Sequence, residues 1–232
     1  MLLLQATTTM LHITHTADGN PTLYSEKFAS HYHSLHGSVA ESNYIFIEHN
    51  LHYYITKHQP ASLIMFELGF GTGLNAYLAA EYAHKHSIPI TYHTIELYPV
   101  ANDIIEQLHF NISDVQLYKH LHTAPWEKEI QLTPYFTLHK HEGDFCNYDM
   151  IPNHYHLFFM DAFGPDHQPE MWEPIILQKI YDSLLPTGVL TTFSARGSFR
   201  RSLQKLGFEV ERLPGPEGKR HITRAVKIVS SI

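Results

Sequence analysis

From residue 61 onward, apolar and polar positions follow the rhythm of alternating strands and helices. The apolar run Leu63–Leu68 predicts a strand, and helical spacing follows from Leu74 to about His86. Pro89 interrupts, and Ile90–Glu96 predicts a second strand. Residues 97–134 are too long for a simple strand-to-helix connection; Asn102–Phe110 carries helical spacing and Ala124-Pro125-Trp126 reads as a loop. Further strands are predicted at about Tyr135–His139, at Tyr155–Met160 and at Val189–Phe193. Tyr155–Met160 is apolar apart from His156, as a strand covered on both faces should be. Helices are predicted over about Met171–Leu185 and, short and basic, over Gly197–Leu206. Two last strands, Phe208–Leu213 and His221–Val229, flank the turn-rich Pro214–Gly218, which predicts an antiparallel hairpin. The expectation is a mostly parallel, seven-stranded α/β sheet over residues 61–232 ending in that hairpin.

Residues 1–60 read as an extension packed on this domain. Residues 12–25 are extended, with a turn at Asp18-Gly19-Asn20-Pro21. Residues 26–58 place Ile45, Ile47, Leu51, Tyr54 and Ile55 at partly helical spacing. Residues 1–9 are expected to be dispensable, with Met10 an alternative start.

No apolar run approaches the ~20 residues of a membrane span. The opening Met1-Leu2-Leu3-Leu4 is too short for a signal-peptide core, and Cys146 is the single cysteine. Both fit a cytoplasmic location. The net charge of −7 is unevenly spread: residues 196–227 hold nine Lys/Arg against three Asp/Glu. A basic end on an acidic body suits nucleic acid, or simply a solvated helix and hairpin. Twenty histidines include pairs spaced i, i+2, among them His31/His33, His120/His122, His139/His141 and His154/His156. None carries a third ligand at familiar spacing, so they read as compositional bias and no metal is expected.

Between the first strand and helix lies Glu67-Leu68-Gly69-Phe70-Gly71-Thr72-Gly73. Strand, glycine turn and helix make a nucleotide-cofactor loop, with a helix N-terminus offering free amides. The loop also fits the dinucleotide pattern GxGxxA, so alone it admits NAD or S-adenosylmethionine. Three acids at successive strand ends tilt the choice. Glu67 suits the ammonium of an amino-acid-bearing cofactor, Glu96 suits ribose hydroxyls, and Asp144 suits an adenine amine. S-adenosylmethionine explains all three; NAD explains mainly Glu96. After Tyr155–Met160 comes Asp161-Ala162-Phe163-Gly164-Pro165, running on to Trp172. Asp161 is a candidate for contact with substrate, and Phe163 and Trp172 offer faces for a base, or else belong to the core.

The runs E-L-G-F-G-T-G-L-N and M-D-A-F-G-P-D-H-Q-P-E-M-W resemble the methyltransferase part of the MnmC/MnmD family of tRNA-modifying proteins. T-A-D-G-N-P-T-L-Y-S and T-T-F-S-A-R-G-S-F-R-R-S-L-Q-K-L-G-F extend the likeness from about Thr16 to Arg224. It implies a Rossmann-like class I S-adenosylmethionine-dependent methyltransferase. The expected reaction converts 5-aminomethyl-(2-thio)uridine at the tRNA wobble position to its methylaminomethyl form. By matching position, Glu67, Gly69, Gly71 and Gly73 would form the cofactor loop, with Glu96 at the ribose and Asp144 at the adenine. Asp161 would face the substrate amine, and Phe163, Pro165 and Trp172 would shape the base pocket. Arg196, Arg200, Arg201 and Lys205 are expected at phosphates of the anticodon stem-loop. The likeness does not extend to the flavin-bearing oxidase of MnmC, so a separate oxidase is expected to supply the aminomethyl precursor. Open alternatives are an aminopropyltransferase resembling spermidine synthase and a non-catalytic binding module.

Overall fold

The computed structural model describes residues 10–228. Residues 1–9, and Val229 at the end of the last expected strand, lie outside that span. The N-terminal part opens with β1 (Leu11–His15), β2 (Pro21–Ser25) and β3 (Ser30–His31), a small antiparallel sheet. Helix α1 (Ser38–Ser42) runs through a π-helical stretch, Asn43–His52, into α2 (Tyr53–His58). Then follow β4 (Leu63–Leu68), α3 (Leu74–His86), β5 (Ile90–Glu96), α4 (Asn102–Ile105), α5 (Val115–Thr123), β6 (Glu129–Thr133) and β7 (Phe136–Glu142). The chain ends with β8 (Tyr155–Met160), α6 (Pro174–Ser183), β9 (Leu184–Thr192), α7 (Gly197–Leu206), β10 (Phe208–Pro214) and β11 (His221–Lys227).

The main sheet has the order β10-β11-β9-β8-β4-β5-β7-β6. Its five central strands are parallel; β10, β11 and β6 are antiparallel. Among the described residues it therefore has eight strands rather than the expected seven. The addition is β6, Glu-Ile-Gln-Leu-Thr, an edge strand whose alternating polar residues face solvent. The expected helix over Met171–Leu185 is also divided. Pro174 pushes Glu173 into an extended conformation and starts α6 afresh after a 3₁₀ turn at Pro169–Trp172. Among the described residues, no helix is long and apolar enough to cross a membrane.

The chain winds outward from β4 through β5 to β7, then returns to place β8 on the other side of β4. This reversal opens a crevice beyond the carboxyl ends of β4 and β8, where α/β sheets bind ligands. The N-terminal helix is part of the core that frames it. Ile45, Phe46 and Leu51 are buried, each burial worth ~1.5–3 kcal/mol. Asn50 Nδ2 ties this helix to the sheet, donating to Thr191 Oγ1 at 2.9 Å and to the Phe158 carbonyl at 3.2 Å.

Candidate active site

At the crevice lies a cavity of about 920 Å³, at the upper end of the ~300–1,000 Å³ typical of small-molecule sites. The loop after β4 forms its floor. Gly69 has φ +95°, and a Cβ there would stand 3.1 Å from the Asp161 carbonyl oxygen. Gly73 has φ +69°, and a Cβ would meet His122 Nε2 at 2.8 Å. Both positions thus need glycine, for backbone conformation and for close packing. The Gly71 amide donates to Glu96 Oε2 at 3.0 Å, and the Tyr98 amide to Oε1 at 2.9 Å. Burial raises the Glu96 pKa, while these amides pull it back. Asp144 lines the far end, its Oδ1 accepting from the Cys146 amide at 2.8 Å.

Asp161 lines the cavity where β8 ends. Asn75, in the first turn of α3, donates from Nδ2 to Asp161 Oδ2 at 2.8 Å and to Glu67 Oε1 at 3.0 Å. Thr94 Oγ1 donates to the other Glu67 oxygen at 2.9 Å. Glu67 is 1% exposed, and burial pushes its pKa up to about 8. The Asp161 carboxyl borders the cavity, yet the protein crowds it. Burial raises its pKa well above the carboxylate range; the Glu67 and Glu41 charges add to this, and Asn75 and Lys219 oppose it. Glu41 on α1 and Lys219 in the β10–β11 loop form an ion pair of 2.6 Å in the cavity wall. Phe163 lines the wall too, stacked on Phe28 with centroids 4.4 Å apart and meeting Tyr32 edge-on at 5.0 Å.

Residues 98–228 match a sequence family described as S-adenosyl-L-methionine-dependent methyltransferase. The chain belongs to that family. S-adenosylmethionine is accordingly the cofactor of this methyltransferase. Its sequence is also similar to bifunctional proteins named tRNA 5-methylaminomethyl-2-thiouridine biosynthesis protein MnmC. That of Actinobacillus pleuropneumoniae is 27% identical over 230 residues, covering 88% of this chain and 33% of the relative. That of Cupriavidus necator is 29% identical over 227 residues, covering 90% and 33%. The methyltransferase thus spans about a third of the length of these relatives. Among solved structures, MnmC2 from Aquifex aeolicus superposes with a TM-score of 0.77 at 23% identity, covering 95% of this chain and 71% of that one. This likeness bears out the Rossmann-like fold, and the relatives bear out the MnmC-type resemblance.

The cavity's chemistry fits the cofactor. Asn75 Oδ1 is buried without a hydrogen-bond partner among the described residues, so it is a ready acceptor for an ammonium group. Gly69, Gly71, Glu96, Asp144, Asp161 and Phe163 all line the cavity. Other expected site residues sit elsewhere. Glu67 is enclosed behind the loop, outside the cavity lining, its two oxygens accepting from Asn75 and Thr94. Gly73 lies outside the lining and serves the turn into α3. Pro165 is likewise outside the lining. Trp172 is a strut: its Nε1 donates to the Phe163 carbonyl at 2.8 Å while its ring packs on Phe199 and Phe193. Arg196 pairs with Asp166 and is engaged within the protein. Arg200, Arg201 and Lys205 follow on α7. Desolvation, and then the charges of Arg212, Arg220 and Arg200, lower the pKa of His221.

Asn75, Tyr32, Glu41 and Lys219 were not legible as site residues in the sequence. Asn75 alone carried a signal, its place one residue into the helix after the glycine loop. The others arrive from the N-terminal segment and the last hairpin, brought in only by the fold.

Proposed function

We propose that this methyltransferase acts on the amine of 5-aminomethyl-(2-thio)uridine at the tRNA wobble position, giving the 5-methylaminomethyl product. The observation that carries the reading is a crowded carboxylate, Asp161, in the same cavity as the glycine loop. The names of the MnmC relatives supply the substrate class. The exposed Arg201 and Lys205 on α7, in a segment with nine Lys/Arg against three Asp/Glu, support a polyanionic partner.

When bound, S-adenosylmethionine supplies an electrophilic methyl group. Asn75 Oδ1 would receive the ammonium of its amino-acid end, Glu96 its ribose hydroxyls and Asp144 its adenine amine. The substrate amine must present a lone pair, although a lysine-like amine titrates near ~10.4. An exposed aspartate, near ~3.9, is a poor proton acceptor for such a group. Burial and the Glu67 and Glu41 charges move Asp161 toward the amine in proton affinity. Asn75 holds Oδ2, so Oδ1 faces the amine, takes its hydrogen bond and steadies the developing cation. Phe163, backed by Phe28, offers a flat wall for the uracil ring.

The test is methyl incorporation from labelled S-adenosylmethionine into tRNA that bears the wobble aminomethyl group, against the same tRNA with unmodified uridine. Incorporation into the first alone supports the reading. Equal incorporation, or none into either, overturns it.

A further inference from the structure

The connection from β7 to β8, residues 143–154, contains no α-helix, only a 3₁₀ turn at Phe145–Asn147. On the sheet beside it stand histidines where apolar residues would be expected. His93 on β5 and His139 on β7 are opposite each other in register, and His141 follows two residues later on the same face. The ligand-capable nitrogens of the three lie within 4.8 Å of one another. His93 Nδ1 and His141 Nε2 are 3.3 Å apart. Metal–nitrogen bonds of ~2.0–2.1 Å in a tetrahedron imply a nitrogen–nitrogen edge of about 3.3–3.4 Å. Rotation of His139, the most accessible of the three, closes the remaining gap.

A carboxylate orients the set. Glu127 Oε2 lies 3.3 Å from His141 Nδ1, and its Oε1 accepts from the Glu142 amide at 2.7 Å. With Nδ1–H donated to Glu127, the His141 lone pair sits on Nε2, toward His93 and the Tyr148 hydroxyl at 3.2 Å. A carboxylate behind a histidine is the usual support of a metal-bound imidazole. The missing third ligand of the His139/His141 pair thus comes from the neighbouring strand.

We propose that His93, His139 and His141 bind one late first-row divalent cation of the zinc class, with Glu127 as the positioning residue. Three imidazoles select zinc, nickel or copper over magnesium or calcium. The ion would clamp β5 to β7 and steady the root of the loop that carries Asp144. Its role is structural, apart from the reacting atoms.

The experiment is calorimetric titration of zinc chloride into the chelator-stripped full chain, with magnesium chloride as a comparison and circular dichroism to verify each variant's fold. One zinc site per chain at micromolar affinity or tighter is expected, with no magnesium binding. His139→Ala should abolish that site, and Glu127→Gln should weaken it by ~10–100-fold. Changing the exposed His84 and His86 to Ala should leave it intact. Zinc should raise the melting temperature of the unaltered protein and not that of His139→Ala. Zinc binding no tighter than millimolar, or binding unchanged in a folded His139→Ala or in Glu127→Gln, overturns the proposal. Should His139→Ala fail to fold, Glu127→Gln decides: unchanged affinity there overturns it.

Discussion

Asp161 and Glu67 share one amide. Asn75 donates a hydrogen to each carboxylate from a single nitrogen, so the two acids are held close with little solvent to separate their charges. In the proposed reaction, that crowding makes Asp161 a better partner for the substrate amine than an exposed aspartate. Asp161→Asn removes the charge and keeps the shape. It should lower turnover by ~10²–10⁴ while leaving S-adenosylmethionine affinity unchanged, as single-turnover kinetics and calorimetry would show. Native turnover in that variant would remove Asp161 from the mechanism. Glu67 gives a separate signature in stability. Its folded pKa is raised to about 8, above its unfolded value, so its contribution is full below ~4.5 and declines as pH rises through about 8. The decline is at most about 1.4 kcal/mol per pH unit. Glu67→Gln should flatten it: thermal denaturation between about pH 5 and about pH 9, without added cofactor, should show a smaller loss in the variant than in the parent.

At the scale of elements, the N-terminal helix and the last hairpin do more than cover the sheet. Asn50 anchors the helix across two strands, so Asn50→Ala should cost ~1–3 kcal/mol, read from denaturant unfolding. Helix α7 buries Phe199 and Leu203 and turns Arg201 and Lys205 outward. Neutralising Arg200, Arg201 and Lys205 with Gln should weaken tRNA binding and reduce its salt dependence by ~0.7–0.9 in log–log slope for each phosphate left without its cation. Arg196→Gln should change it less, because Arg196 answers Asp166. An unchanged slope in the triple variant would place the RNA on another face. Elements differed in how plainly the sequence announced them. β4 and β8 are largely apolar runs, and β5 starts just after Pro89; strands buried on both faces can hardly be read otherwise. β6 alternates polar residues at a sheet edge, where burial asks little of the side chains. The helix from Ser38 to His58 blurred its own pattern, since a π-helical stretch does not repeat at 3.6 residues.

At the scale of the molecule, the cavity is assembled from distant parts of the chain. The glycine loop and the strand-end acids Glu96, Asp144 and Asp161 were legible because each sits where a predicted strand stops. Tyr32, Glu41 and Lys219 were not, because nothing in their local sequence marks them; only the packing of the N-terminal segment and the β10–β11 loop brings them to the same wall. Glu67 was legible as an acid of the loop but not as a buried one, since burial at the end of β4 depends on α3 and β5 closing over it. The same holds for the histidine triad, whose third member lies on another strand. Cofactor and acceptor must meet in this one cavity. The most direct measurement is mass spectrometry of wobble nucleosides after aminomethyl-bearing tRNA is incubated with the protein and S-adenosylmethionine. The methylaminomethyl nucleoside is expected, formed at the expense of the aminomethyl one, and far more slowly with Asp161→Asn. An aminomethyl nucleoside that persists unchanged, with S-adenosylmethionine bound and Asp161 intact, would contradict the proposed reaction.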